Sequence, residues 1–339
     1  MKALRYLGPG QMVVQEIENP VPKDKEVLLK VRACGICGSD VHGSLGLTGR
    51  RIAPMAMGHE FSAEVVELGN GVKNFKKGDG VIVQPINFCG ECKNCKQGLT
   101  NMCLNKKFFG VLTVDGAMAE YVAVPVYGLS ELPDCISFVQ GALIEPLAVA
   151  IGTVQKVDLR LGETVVIMGA GCIGLNLLVV AKAAGARRVV VTAISERRLV
   201  FAKKMGAYAT IATKGTDVKG LILEKLEGRP DVILEATGME DCIQTSLSVV
   251  KKGGKIGLAG FGRDEDIKIH IDDIHVNNLR IFGAGNNWNL VDKAIDLLKD
   301  GIVSTENLAT HFFQLEEYEK ALEMTKTRPD GFVKAVFTF

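Results

Sequence analysis

Long apolar runs are missing from this chain. Its richest stretch, Leu161 to Ala184, is broken by glycines and bounded by charges. It does not supply the ~20 consecutive apolar residues of a membrane helix. The start, Met1-Lys-Ala-Leu-Arg-Tyr-Leu7, lacks the apolar stretch and small-residue cleavage site of an export signal, so a cytoplasmic protein is expected. A charge excess is missing too: 40 basic residues face 39 acidic ones, which argues against a nucleic-acid face or a polyanionic tail. Aromatics are few, with 14 Phe, 5 Tyr and 1 Trp, and a stacking platform for bases is not expected. Internal repeats and low-complexity linkers are absent.

What remains is a chain of 339 residues, 47% hydrophobic and 23% charged. That is enough for about two domains of roughly 150 residues each, with a cleft between them. The first part carries short β patterns separated by Gly and Pro, such as Glu26–Arg32, Ala63–Gly69 and Gly80–Pro85. They predict a compact β-rich domain or barrel. From Thr164 the character changes. The apolar runs Thr164–Met168, Val189–Thr192, Val232–Glu235 and Lys255–Ala259 alternate with helical patterns. Such an alternation predicts an α/β fold with a parallel sheet covered on both faces. The tail returns to mixed character, with a helical Leu290–Lys299 and a strand-like Val333–Phe337.

The strand Thr164–Met168 runs into Gly169-Ala-Gly171-Cys172-Ile173-Gly174, which opens the apolar helix Leu175–Ala184. The first glycine permits the tight turn, the second admits a pyrophosphate to the backbone, and the third lets helix and strand pack closely. The helix start offers unpaired N–H groups to phosphate. With Val189–Thr192 following at the expected distance, the unit predicts a Rossmann dinucleotide site. An NAD site would carry a carboxylate at the end of that second strand, for the ribose 2′-OH. Here the position holds Ala193, followed by Ser195, Glu196, Arg197 and Arg198. A small residue with a hydroxyl and guanidinium groups nearby suits a 2′-phosphate. NADP is therefore favoured over NAD. Ala236 and Thr237, after the strand Val232–Glu235, complete the expected cofactor contacts.

Nine cysteines are present, four of them between Cys89 and Cys103. Cys89, Cys92, Cys95 and Cys103 form C-x2-C-x2-C-x7-C, a spacing that wraps one tetrahedral zinc in a closed, structural site. An iron–sulfur cluster spaces its last cysteine differently. Cys34, Cys135, Cys172 and Cys242 are scattered and read as small buried hydrophobes. A sparser set joins Cys37, in Gly35-Ile-Cys-Gly-Ser39-Asp40-Val-His42, to His59 and Glu60 in Gly58-His-Glu-Phe, and to Glu145 in Glu145-Pro-Leu-Ala. One thiolate, one imidazole and one carboxylate suit a catalytic zinc with an open position.

These motifs together resemble the zinc-containing medium-chain alcohol dehydrogenases, in particular the sorbitol (polyol) dehydrogenase branch, over essentially the whole chain. The resemblance implies a Rossmann domain plus a GroES-like catalytic domain, with residues 1–148 and 288–339 forming the catalytic part and 149–287 the dinucleotide-binding part. It implies two zinc ions per chain, the catalytic one on Cys37 and His59 with Glu60 third. Glu145 matches a position that binds the metal directly or through water. Asp40 would orient the zinc-bound histidine, and Ser39 and His42 would relay the hydroxyl proton. A homodimer or homotetramer is implied, formed through late strands such as Leu279–Phe282.

Two departures bear on the substrate. The Arg-Tyr pair that helps bind the polyol in sorbitol dehydrogenases is replaced by Phe282-Gly-Ala-Gly-Asn-Asn-Trp288. His42 is followed by Gly43 and Ser44 where aromatics are common. Both suggest an enlarged pocket, open to a polyol, a polyol phosphate or a sugar acid. A non-catalytic zinc-stabilised nucleotide-binding protein would lack the Cys37–Glu60 set, and a zinc-free quinone reductase would lack the four-cysteine loop.

Overall fold

Two apolar patterns build two sheets of opposite character in the computed structural model, which describes residues 1–262, 266–285 and 289–339. The uninterrupted runs form a six-stranded, all-parallel sheet. Its spatial order is Ala209–Ala212, Arg188–Ala193, Thr164–Met168, Val232–Glu235, Lys255–Leu258 and Arg280–Gly283. Numbered along the chain, this is the 3-2-1-4-5-6 order of dinucleotide folds, whose ligand crevice opens at the switch point beside the first strand. The register sets Met168 level with Thr192 on one side and Glu235 on the other, so the crevice lies above these three residues.

Both faces of the sheet are covered, which is why its strands are apolar throughout. Val165, Ile167, Val189, Val191 and Leu234 share a core with helices Cys172–Ala183 and Glu196–Lys204. The alternate residues Val166, Val190 and Ile233 pack on helices Val218–Leu226 and Glu240–Val249.

The alternating runs instead form a mostly antiparallel domain around the long strand Glu26–Gly35. This strand pairs with Glu60–Leu68, Tyr121–Pro125 and Lys334–Thr338. The last pairing, with Ala309–Phe313 beside it in parallel, returns the end of the chain to the first domain. Val27, Leu29, Val31, Phe61, Ala63, Val65, Ala335 and Phe337 form its core.

Helix Ile144–Lys156 connects the two parts. Leu147, Ala150, Ile151 and Val154 lie in the core of the parallel sheet, so the expected division at 148/149 falls inside a continuous helix. Helix Val291–Lys299 also packs its Val291, Ala294 and Ile295 into that core. The expected division at 287/288 lies among Asn286, Asn287 and Trp288, outside the described residues. Among those described, no helix is long and apolar enough to cross a membrane.

Candidate active site and metal centres

The short helix Gly38–Ser44 begins directly after Cys37 and carries Ser39, Asp40 and His42. Asp40 is fully buried. Its Oδ2 accepts the Cys37 backbone N–H at 3.0 Å, and its Oδ1 accepts the Arg51 guanidinium at 2.8 Å. Oδ1 also lies 3.4 Å from His59 Nδ1. Burial alone would raise the Asp40 carboxyl, but the nearby His59 charge, with Arg51 and the Cys37 N–H, holds it down at about 2. One carboxylate thus fixes both the start of the Cys37 helix and the His59 ring, whose other constraint is edge-on packing against Phe108 at 5.6 Å between centroids. Arg51 Nη2 also approaches Ser39 Oγ at 3.4 Å.

His59 and Glu60 stand at the start of strand Glu60–Leu68, directly opposite Gly35 at the end of Glu26–Gly35. Glu60 is buried and ion-paired with the equally buried Lys334 of the final strand. Burial would lower the Lys334 ammonium, but the Glu60 charge overrides it and keeps the ammonium well above its ordinary range. Gly35 makes room for this pair: a Cβ there would sit 2.5 Å from Glu60 Oε2 and 3.1 Å from Lys334 Cε. The strand pairing brings Cys37, His59 and Glu60 together with their ligand atoms all within 4.8 Å of one another. A thiol, an imidazole and a carboxylate at that spacing fit one zinc with a position left open.

Glu145 lies in the first turn of helix Ile144–Lys156, outside that mutual 4.8 Å set. Burial first, then the nearby Glu60 charge, push its carboxyl up to about 7, against the opposing His59. Cys172 of the glycine loop is raised to about 12, chiefly by burial, and the charges of Lys334, Glu60 and Cys37 act on it. The charges of the candidate metal centre thus reach the glycine loop.

The four-cysteine loop closes on itself around the short helix Lys93–Lys96. Its Sγ···Sγ separations are 3.5 Å for Cys92–Cys95 and Cys89–Cys103, and 4.0 Å for Cys89–Cys95 and Cys92–Cys103. A tetrahedron with 2.3 Å metal–sulfur bonds has edges of about 3.8 Å. These sulfurs are free thiols rather than disulfides, and they fit a structural zinc. Backbone N–H groups of Leu104 and Cys95 draw the Cys92 thiol down to about 6, which favours the ligating thiolate.

In the crevice, Gly169 has φ +103°, and a Cβ on it would meet Thr237 Cγ2 at 2.7 Å. A Cβ on Gly174 would lie 1.9 Å from the Gly169 carbonyl, whereas one on Gly171 would meet nothing within 4 Å. Gly169 and Gly174 thus close the turn, Ile173 follows on the helix, and Gly171 leaves an open cradle that fits a pyrophosphate. Ala236 and Thr237 face this turn. Ala236 donates its N–H to the Met168 carbonyl at 3.0 Å, and the buried Glu235 accepts the N–H and Oγ–H of Thr237 and the N–H of Gly238. Ala193 is buried at the end of its strand. Ser195 caps helix Glu196–Lys204 by accepting the Arg198 N–H at 3.3 Å, and Arg197 and Glu196 are exposed.

This architecture matches known proteins along its whole length. Residues 23–134 match the alcohol dehydrogenase GroES-like domain, and residues 172–300 match the zinc-binding dehydrogenase family. Sorbitol dehydrogenase of Bacillus subtilis (strain 168) is 35% identical over 95% of this chain and 93% of its own. The chain belongs to the zinc-binding alcohol dehydrogenase family. A zinc-binding dehydrogenase from Sinorhizobium meliloti 1021, bound to NADP, superposes with TM-score 0.93 at 31% identity, over 100% of this chain and 99% of the other. An alcohol dehydrogenase from E. coli CFT073, complexed with NADH, superposes with TM-score 0.92 at 29% identity over the same shares. The protein is thus a zinc-dependent oxidoreductase that uses a nicotinamide cofactor.

Two readings from the dehydrogenase's sequence change with its structure. A Cβ on Gly43 would lie 2.6 Å from Arg51 Nε, and Ser44 is buried with its hydroxyl on the Val41 carbonyl at 2.8 Å. The smallness of Gly43 accommodates Arg51 rather than a larger substrate. Cys135 is exposed, because it sits in the turn 133–136 between strand Leu129–Glu131 and helix Phe138–Ala142. In the other stretch tied to substrate size, Asn286, Asn287 and Trp288 are outside the described residues. Arg51, Lys334 and Glu235 had no place in the sequence reading. A charge at the end of an apolar strand, as in Val333-Lys334-Ala335-Val336 and Ile233-Leu234-Glu235, was the available signal, since a buried charge needs a partner.

Proposed function

We propose that this dehydrogenase interconverts a polyol, or a related sugar alcohol, and the corresponding ketose, with NADP favoured over NAD and two zinc ions per chain. The observation that carries the reading is the convergence of Cys37, His59 and Glu60 beside the glycine loop. The sugar-alcohol class is supported by the sorbitol dehydrogenase relative. We assign residues 1–148 and 288–339 to the catalytic part and 149–287 to the cofactor part, with helix Ile144–Lys156 spanning the first division and helix Val291–Lys299 packing onto the core of the cofactor part.

Cys37, His59 and Glu60 would hold the catalytic zinc, with Glu145 beside it, and Cys89, Cys92, Cys95 and Cys103 the structural one. When bound, the metal supplies Lewis-acid polarisation of the substrate oxygen and the nicotinamide accepts the hydride. Asp40 holds the His59 ring and the Cys37 backbone in place. Ser39 accepts the hydroxyl proton and passes it, through cofactor hydroxyls or water, toward His42, three residues on along the same helix face. Gly169, Gly171, Cys172, Ile173 and Gly174 cradle the pyrophosphate, with Ala236 and Thr237 alongside. Ala193 leaves room for a 2′-phosphate that Ser195, Arg197 and Arg198 bind.

Strand Arg280–Gly283 forms one edge of the parallel sheet. Pairing of two such edges across a two-fold axis would give a homodimer or homotetramer in the cytoplasm. A light-scattering mass of one protomer would refute that assembly.

Turnover of polyols, polyol phosphates and sugar acids with each cofactor tests the reading. A polyol with NADP should give the highest kcat/KM. A phosphorylated substrate as the sole good one would move the assignment to a polyol-phosphate dehydrogenase. A sugar acid in that role would move it to a sugar-acid dehydrogenase, and no turnover of any would overturn the class.

A further inference from the structure

The tail turn at residues 328–331 crosses from the catalytic part to the end of the second Rossmann strand. There Asp330 Oδ1 accepts the Ser195 hydroxyl at 2.7 Å, and Oδ2 forms an ion pair with Arg197, 3.1 Å from its Nε. Gly331, with φ +83°, lets the turn come close: a Cβ there would lie 3.4 Å from Arg197 Cδ. A second cation adjoins. Arg198 Nε is buried without a hydrogen-bond partner among the described residues. Burial and then the charge of Arg328 lower its pKa, while Asp330 opposes them. Arg197 and Arg198 thus both adjoin a single carboxylate. A phosphate monoester, at −1.5 to −2 charge, matches this surplus better than one carboxylate does.

We infer that Asp330 is a resident anion in the subsite for the ribose 2′-phosphate and so sets cofactor selectivity. Its carboxylate takes the hydroxyl and guanidinium donors that the phosphate needs, and it ties the tail of the catalytic part to the cofactor part. NADP must displace it. The side chain is 58% exposed, so it can swing into water when displaced. A cofactor without the 2′-phosphate leaves the contact intact. The inference rests on the NADP reading and adds to it a residue 135 positions away in sequence.

Equilibrium binding of adenosine 2′,5′-bisphosphate and of 5′-AMP to the zinc-loaded protein, by titration calorimetry, tests the assignment. Asp330→Asn and Asp330→Ala should each tighten the bisphosphate roughly five- to tenfold, the scale of one exposed ion pair plus relieved like-charge repulsion. Binding of 5′-AMP should stay within about twofold. Asp330→Glu, which restores the carboxylate, should behave like the native protein. If the native protein prefers the bisphosphate but neither charge-removing variant tightens it, the role of Asp330 is overturned and the NADP reading stands. If no protein prefers the bisphosphate, both fall. If only the variants prefer it, Asp330 is upheld and the native preference for NADP fails.

Discussion

Removing Asp40 and Arg51 singly and together separates structural support from metal positioning. Asp40 and the Arg51 side chain are almost wholly buried, and their 2.8 Å contact is the ion pair beneath Cys37 and His59. Asp40→Leu leaves the guanidinium without its counter-charge, and Arg51→Met leaves the carboxylate facing His59 alone. Breaking a buried pair on one side costs about 3–5 kcal/mol. The double variant removes both charges, and apolar replacement of a buried pair is close to neutral. What remains is the orphaned Cys37 N–H, worth about 1–3 kcal/mol. The double variant should thus lie about 1–3 kcal/mol below the native protein, far from the roughly 6–10 kcal/mol sum of the single variants. Its zinc affinity should not recover with its stability, because Asp40 also positions His59. Loss of such an orienting partner typically costs 10–100-fold in metal affinity. Urea unfolding gives the stabilities, and competition with a chromogenic chelator gives the affinity. Additive stabilities would refute the pairing, and native zinc affinity in the double variant would refute the orienting role.

Further predictions follow from individual contacts. Gly171→Ala should keep stability within about 1 kcal/mol yet weaken cofactor binding, since a Cβ there points into open space. Gly174→Ala, 1.9 Å from a carbonyl oxygen, should cost about 1–3 kcal/mol or more; calorimetry of both variants checks the contrast. Ala193→Asp should erase or reverse the NADP preference, a change of about 1.5–3 kcal/mol or roughly ten- to hundredfold in relative affinity. Steady-state kinetics with both cofactors decides it, and an unchanged ratio would count against the placement of Ala193. Burial tends to raise the Asp231 carboxyl, but hydrogen bonds from Lys251 and from the Thr164 N–H and hydroxyl lower it. A carboxyl depressed in the folded state stabilises fully above its unfolded pKa of about 4 and loses that stabilisation as pH falls through the folded value. Asp231→Asn should therefore cost roughly 1 kcal/mol at neutral pH and flatten the acid limb below about pH 4. An unaltered acid limb would show that Asp231 is not its source.

Legibility in the sequence followed the range of the interactions. The glycine loop and the four-cysteine loop are short and locally encoded, so spacing alone placed Gly169–Gly174 on a strand–helix turn and Cys89–Cys103 in one cluster. The all-parallel sheet was legible because strands buried on both faces must be apolar throughout. Cys37 lies apart in sequence from the adjacent His59 and Glu60, and their residue types beside a dinucleotide fold, rather than a fixed spacing, joined them. Arg51 escaped because its partner is reached only through the fold. Asp330 escaped because its partners lie in the other part of the chain. Gly43 was read as space for substrate, but that space belongs to Arg51, a contact no local pattern reports. The continuity of helix Ile144–Lys156 across the expected division has a related cause: its buried face, from Ile144 to Val154, packs into the one core it shares with the parallel sheet.

If Cys37 belongs to an open catalytic zinc site, that site must be separable from the closed four-thiolate one. Zinc content measured alongside turnover in Cys37→Ser tests it most directly, with Cys92→Ser for comparison. Cys37→Ser should stay folded, retain one zinc of two and lose activity, whereas Cys92→Ser should chiefly lose stability. A Cys37→Ser protein that turns over at the native rate, or one that still binds two zinc ions as tightly as the native protein, would contradict that assignment of Cys37.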